Sequence, residues 1–288
     1  MKVLLAIDSS LTSHVVETAS ARLWPVGTVF CVTSVVDMRH WEGLPQLIED
    51  ATREAESIVK RGTEKLTTSG HRAFSEVLSG SPRDKIIDYA KQWGADLVMV
   101  GSHGHGAAVR FLLGSVAQAV LRRATCSVEI VRQGPEASSR GIKVLLATDG
   151  SECSAKAAAF IVNRPWPAQS EVRILSVVQL MTADLPSLVS SMGGPAPGLA
   201  DEVYEQGQKL AKEAVAKARK TLSAAGLAVS DATPLGEPRA MILDEAKSWG
   251  AGLIVVGSHG RHGLERLLMG SVAEAVAGYA KCSVEVVR

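Results

Sequence analysis

Trp93-Gly94-Ala95-Asp96-Leu97-Val98-Met99-Val100-Gly101-Ser102-His103-Gly104 returns later in the chain as Trp249-Gly250-Ala251-Gly252-Leu253-Ile254-Val255-Val256-Gly257-Ser258-His259-Gly260. In each copy a helix-ending glycine precedes a continuous apolar run, which opens into a glycine-bearing loop. Continuous rather than alternating apolar runs suit strands buried on both faces, as in a parallel sheet flanked by helices. The repetition extends in both directions. Leu112-Leu113-Gly114-Ser115-Val116-Ala117 matches Leu268-Met269-Gly270-Ser271-Val272-Ala273, and Cys126 to Arg132 matches Cys282 to Arg288. These pairs share one offset, Gly257 lying 156 positions after Gly101. The opening strands also pair, Lys2 to Asp8 with Lys143 to Asp149, but Asp149 lies only 141 positions after Asp8. The second copy therefore carries roughly fifteen extra residues, placed in the Gly-, Pro- and Ser-rich stretch Met181 to Leu199.

Two copies of one unit predict two domains, residues 1–133 and 142–288, joined by a polar linker over 134–141. Strands are predicted near 3–7, 28–36, 73–78, 97–100 and 127–131. Helices are predicted over about 45–69 and from Ser81-Pro82 to Trp93, the second stopped by Gly94. Alternating strands and helices imply an α/β fold with right-handed crossovers. The expected architecture is two tandem doubly wound, Rossmann-like five-stranded parallel sheets. Ligands of such sheets lie beyond the carboxyl ends of the strands. Asp8 and Gly101 end strands one and four, as do Asp149 and Gly257.

Composition narrows the function classes. The chain has 31 basic and 30 acidic residues, and 46% of it is apolar. Bulk attraction to nucleic acid or anionic membranes is not implied, and aromatics at 4% give no base-stacking platform. No apolar run reaches the roughly 18 residues of a membrane span, and the apolar N-terminus is short for a secretory signal. The four cysteines lack CxxC spacing. A cytoplasmic location with buried or half-buried thiols is expected.

The glycine loop reads G-x-x-G-x₉-G-S in both copies. Gly114-Ser115-Val116-Ala117-Gln118 and Gly270-Ser271-Val272-Ala273-Glu274 fit a capping box with Ser115 and Ser271 as N-caps. Backbone amides at such helix starts make an anion site, and glycine allows close backbone approach. The alternative is a tight strand-to-helix turn, equally copied by duplication. GxxxxGK[ST] and GxSxG strings are absent, and no dinucleotide fingerprint follows strand one. His103 with His105, and His259 with His262, lack neighbouring ligands for a metal set. Trp93 and Trp249 are expected as core anchors, and Glu17, Asp88 and Glu245 on solvated helix faces.

These motifs resemble the ATP-binding branch of the universal stress protein family, in its tandem two-domain form. The resemblance covers nearly all of both halves and implies strand order 3-2-1-4-5. It implies that ATP, with Mg²⁺, is bound. Asp8 and Asp149 would face the ribose or a phosphate-bound metal ion, and Val35 and Val177 would offer backbone groups to adenine. Val100, Gly101, His103 and Gly104 would line ribose and phosphates, with Gly114, Ser115 and Val116 at the phosphate end. In the second copy the set is Val256, Gly257, His259, Gly260, Gly270, Ser271 and Val272, and comparison of the two loops adds Arg261 as a basic residue expected at the nucleotide. His105 stands where the second copy has Arg261, so the second domain is expected to bind ATP more tightly. No general base is poised for hydrolysis; the expected role is a nucleotide-gated sensor or regulator in the stress response, with a slow ATP hydrolase as the alternative. The last strands, Ser127 to Val131 and its twin, are expected at sheet edges, where the two halves would pair within the chain; a homodimer stays open.

Overall fold

The structure is a computed structural model. It describes residues 1–8, 12–38, 44–102, 113–132, 141–179, 199–223, 226–261 and 269–288. The first half runs β1 (Lys2–Ala6), α1 (Thr12–Ala21), β2 (Val29–Val36), α2 (Pro45–Thr68), β3 (Arg72–Ser79), α3 (Pro82–Trp93), β4 (Leu97–Gly101), α4 (Ser115–Arg123) and β5 (Ser127–Val131). The second repeats it as β6 (Lys143–Ala147), α5 (Glu152–Val162), β7 (Glu171–Leu175), α6 (Leu199–Ser223), β8 (Ala228–Ala232), α7 (Pro238–Trp249), β9 (Leu253–Gly257), α8 (Ser271–Tyr279) and β10 (Ser283–Val287).

Each half has strand order 3-2-1-4-5, and within each half the neighbouring strands are parallel. The two sheets are not separate. β5 and β10 pair antiparallel, Glu129 opposite Glu285, so that ten strands form one sheet. Side chains alternate between its faces, as the pleat requires. Leu4 and Ala6 enter one core and Val3, Leu5 and Ile7 another. The first core is continuous through both halves, under α3, α4, α7 and α8. The opposite face is divided, one cluster under α1 and α2 and one under α5 and α6.

Helix boundaries follow local chemistry. Gly94 and Gly250 end α3 and α7 in the left-handed region, at φ 70° and 73°, where a side chain is disfavoured. Ser81 is the N-cap of α3 with Pro82 behind it, although its hydroxyl makes no capping bond. Trp93 and Trp249 are half-buried against the continuous core, with Lys2 and Lys143 over their rings. Glu245 departs from the expected solvated face: its Oε1 accepts from Arg173 Nη1 at 2.5 Å. The reason is a partner 72 residues away on β7. All four cysteines are unpaired, Cys31 and Cys282 buried and Cys126 and Cys153 half-buried. No described helix is long and apolar enough to cross a membrane. The expected linker lies almost wholly, and the Met181–Leu199 stretch all but its last residue, outside the described residues.

Candidate functional site

In the second half, β6 and β9 end side by side, and the chain beyond them folds into a compact polar corner. Past β6 come Thr148, Asp149 and Gly150, then Ser151 as N-cap of α5, its Oγ accepting from Ser154 N at 3.2 Å. Asp149 ties this turn to the glycine loop. Its Oδ1 accepts from Ser151 N at 3.0 Å and its Oδ2 from Arg261 N at 2.8 Å. Burial works to raise its pKa, but the hydrogen bonds from Ser151, Arg261 and Ser154 outweigh it and hold the carboxylate below its ordinary range. The loop needs its glycines. A Cβ on Gly257 would stand 2.6 Å from the backbone carbon of Cys153, and one on Gly260 would stand 2.8 Å from Asp149 Oδ2. His259 Nδ1 lies 3.0 Å from Ser258 Oγ, while its Nε2 is buried with no partner among the described residues.

The glycines before α4 and α8 are themselves the N-caps, which corrects the expected capping box. Ser115 and Ser271 are the first helical residues, and neither helix start has a side-chain cap. Gly114 N donates to Ser102 O at 2.7 Å and Gly270 N to Ser258 O at 2.8 Å, so these two amides are already used. The first bonds inside the helices come from Gln118 to Gly114 O and from Glu274 to Gly270 O. The amides of Ser115, Val116 and Ala117, and of Ser271, Val272 and Ala273, have no partner among the described residues. They are the donors available to an anion.

Val35 and Val177 present backbone edges by strand alternation. Thr33 O accepts from Ile7 N on the β1 side, and Val36 O accepts from Gly80 N on the β3 side. Neighbouring residues face opposite edges, so Val35 points its amide and carbonyl past the end of β1. The twin arrangement holds at Val177: Leu175 O accepts from Thr148 N, while Ser176 N and Val178 N donate to Ala232 O and Pro234 O. The backbone edge of Val177 therefore faces the space beyond β6, beside Asp149.

In the first half, Asp8, Val35, Val100, Gly101, Gly114, Ser115 and Val116 occupy the same topological positions. His103, Gly104 and His105 lie outside the described residues, as does His262 in the second. Val100 and Val256 turn their side chains into the continuous core, leaving only backbone to a ligand. Among the described residues no group of three or more His, Cys, Asp or Glu is placed to hold a metal ion.

The universal stress protein family matches this chain over residues 1–132 and 142–288. The chain belongs to that family. Among its relatives, a universal stress protein of Mycobacterium tuberculosis is 27% identical over 308 aligned positions, spanning 99% of this chain and 96% of the relative. The universal stress protein YxiE of Bacillus subtilis is 35% identical over 149 residues, 51% of this chain and 98% of that protein. The crystal structure of a universal stress protein from Archaeoglobus fulgidus shares the fold, at TM-score 0.68 and 21% identity, covering 100% of this chain and 96% of that one.

One feature of this universal stress protein is missed by motif reading. Glu129 and Glu285, in the middle of β5 and β10, have no exposed surface. Arg22 Nη1 donates to Glu129 at 2.6 Å and Arg164 Nη1 to Glu285 at 2.7 Å. The available signal is a lone Glu inside the apolar run Ser-Val-Glu-Ile/Val-Val in both copies, with Arg-x-Trp repeated as Arg22-Leu23-Trp24 and Arg164-Pro165-Trp166.

Proposed function

We propose that this chain is an ATP-binding regulator of the stress response, with one adenine-nucleotide site in each half, at the carboxyl ends of β1 and β4 and of β6 and β9. One observation carries the reading: the unpartnered amides of Ser271, Val272 and Ala273 stand at a helix start beside the glycine loop that Asp149 pins. The row of donors suits a phosphate tail. The backbone edge of Val177 beside Asp149 suits adenine, which needs one donor and one acceptor side by side. The loop supplies bare backbone at Gly257 and Gly260, where any side chain would collide with Cys153 or Asp149.

Both oxygens of Asp149 already accept amide hydrogens. In this reading the carboxylate shapes the pocket, and Mg²⁺ enters as the counter-ion of the nucleotide's phosphates with its remaining ligands water. The β5–β10 pairing is taken as the working arrangement of the two halves, which puts the sites at opposite ends of the sheet because the strands there are antiparallel. ATP acts by selecting one conformation of the glycine loops. Calorimetric titration of the full chain with MgATP tests the proposal. Saturable binding at up to two sites, lost in part when Gly270 is replaced by a bulky residue, is expected; no binding at millimolar nucleotide would contradict it.

A further inference from the structure

The second half holds one arginine in a place the first half does not provide. Arg261 follows the glycine loop, and its backbone amide is fixed on Asp149 Oδ2 at 2.8 Å. Its side chain then crosses Gly150 to α6, where Nη2 donates to Leu210 O at 3.4 Å. The crossing is possible because Gly150 lacks a Cβ. One built there would stand 2.7 Å from Arg261 Nη2 and 3.2 Å from Ala214 Cβ. The guanidinium therefore lies in a groove whose walls are Gly150 and the Ala214 turn of α6.

The two copies differ together at these positions. The buried residues Ala55, Ile58, Val59, Gly62 and Leu66 of α2 match Ala211, Ala214, Val215, Ala218 and Leu222 of α6 one for one. Ile58 thus stands where the second copy has Ala214, Ser9 where it has Gly150, and His105 where it has Arg261. The two side chains beside Arg261 are cut back where it is lengthened, while Ala218, one turn further along α6, is larger than Gly62. Gly150 also turns the chain at φ 79°, where glycine is favoured in any case, so it is the coincident change from Ile58 to Ala214 that marks the groove as shaped around the guanidinium.

The seat on α6 is weak. The bond to Leu210 O is long, and its acceptor is a neutral helix carbonyl. A phosphate within reach would take the guanidinium in shorter, charge-assisted, two-point hydrogen bonds. The amides of α8 stand close by, since a Cβ on Gly270 would lie within 3.8 Å of Gly260 N.

We propose that Arg261 makes the second site selective for adenine nucleotides with a polyphosphate tail, by moving its guanidinium from the Leu210 carbonyl to the terminal phosphate. This rests on the nucleotide-binding reading above, and it assigns the selectivity to the second site alone. A monophosphate ends short of Arg261 and leaves it on α6.

The test is a titration of the full chain with ATP, ADP and AMP, for the wild type, Arg261→His and Arg261→Lys. Arg261→His is expected to weaken ATP about tenfold at one class of site, the scale of one lost charge-assisted contact, with AMP unchanged within about twofold. Arg261→Lys, which keeps the charge and loses the planar fork, is expected to fall between. Equal losses for ATP and AMP would mean that the arginine only holds the loop, and would overturn the proposal. So would an ATP affinity that does not change. A wild-type chain that binds none of the three nucleotides would instead refute the nucleotide reading itself.

Discussion

Glu129 and Glu285 face each other across the antiparallel β5–β10 pair, each without exposed surface and each held by one arginine of its own half. The arginines are almost as deeply buried, with Arg22 8% and Arg164 3% exposed at the side chain. Arg164 also reaches into the other half, its guanidinium 4.4 Å from the ring centre of Trp24. Two like charges opposed in register are unfavourable alone, so the pairing requires both arginines. A slip of one residue would oppose Glu129 to Val284 or Val286 and put the two glutamates on opposite faces of the sheet, separating one of them from the arginine cluster. The four charges thus fix the register in which the halves join.

Removing one member of this quartet leaves an uncompensated buried charge. Arg164→Ala is expected to destabilise the chain by about 3–5 kcal/mol. An apolar replacement of the whole pair, Arg164→Met with Glu285→Leu, is expected to recover most of that loss. Denaturant unfolding of the three proteins is the measurement. A loss below about 1 kcal/mol for Arg164→Ala would place the quartet among ordinary surface pairs.

The quartet also predicts a pH dependence. Burial pushes Glu285 up from 4.5 to about 7, and Arg164 pulls it back only in part. The charged groups facing it are Arg164, Glu129 and Arg22. A carboxyl whose folded pKa is raised binds its proton more tightly folded than unfolded. Its contribution is complete below about 4.5 and is lost as pH rises through about 7. The stability of the wild type relative to Glu285→Gln is therefore expected to decline across that window. Chemical denaturation of both proteins at stepped pH reads it; a constant difference would contradict it.

Asp149 is expected to act as the pin of the second glycine loop. Asp149→Ala strips the acceptor from Ser151 N and Arg261 N, at a cost of about 1–3 kcal/mol for hydrogen bonds to a charged group. ATP affinity at one of the two sites should fall with it. Thermal unfolding and nucleotide titration of the same variant check both halves of the expectation, and an unchanged affinity would remove Asp149 from the site.

Two glycines give a matched pair. In Gly257→Ala the new Cβ meets backbone atoms of Cys153 and Ser154 at 2.6 and 2.8 Å, so α5 must move. A loss of about 1–3 kcal/mol is expected. Gly278 lies inside α8 with nothing within 4 Å of a built Cβ, so Gly278→Ala should stabilise by about 0.5–1 kcal/mol. Denaturation midpoints of opposite sign support the close approach at Gly257.

Much of the fold was legible because its signals are local or repeated. Apolar runs marked the strands, Gly94 and Gly250 marked helix ends, and the repeat marked the two halves. The helix starts misled, since glycine and serine are both favoured N-caps and the choice in Gly114-Ser115 depends on a hydrogen bond to Ser102 O. The expected last-strand edges pointed toward β5 and β10, but not to what Glu129 meets there. Its arginine lies 107 residues away in sequence, and that of Glu285 lies 121 away. Nor did the reading of Arg261 as a phosphate ligand anticipate the groove, which appears only when Gly150 and Ala214 are brought together.

The most direct test of the nucleotide sites is mass spectrometry of small molecules released when freshly purified chain is denatured. Recovery of ATP approaching two equivalents per chain, falling toward one in a variant with a bulky residue at Gly270, is the predicted result. A chain that releases no adenine nucleotide and takes up none from millimolar MgATP would contradict it.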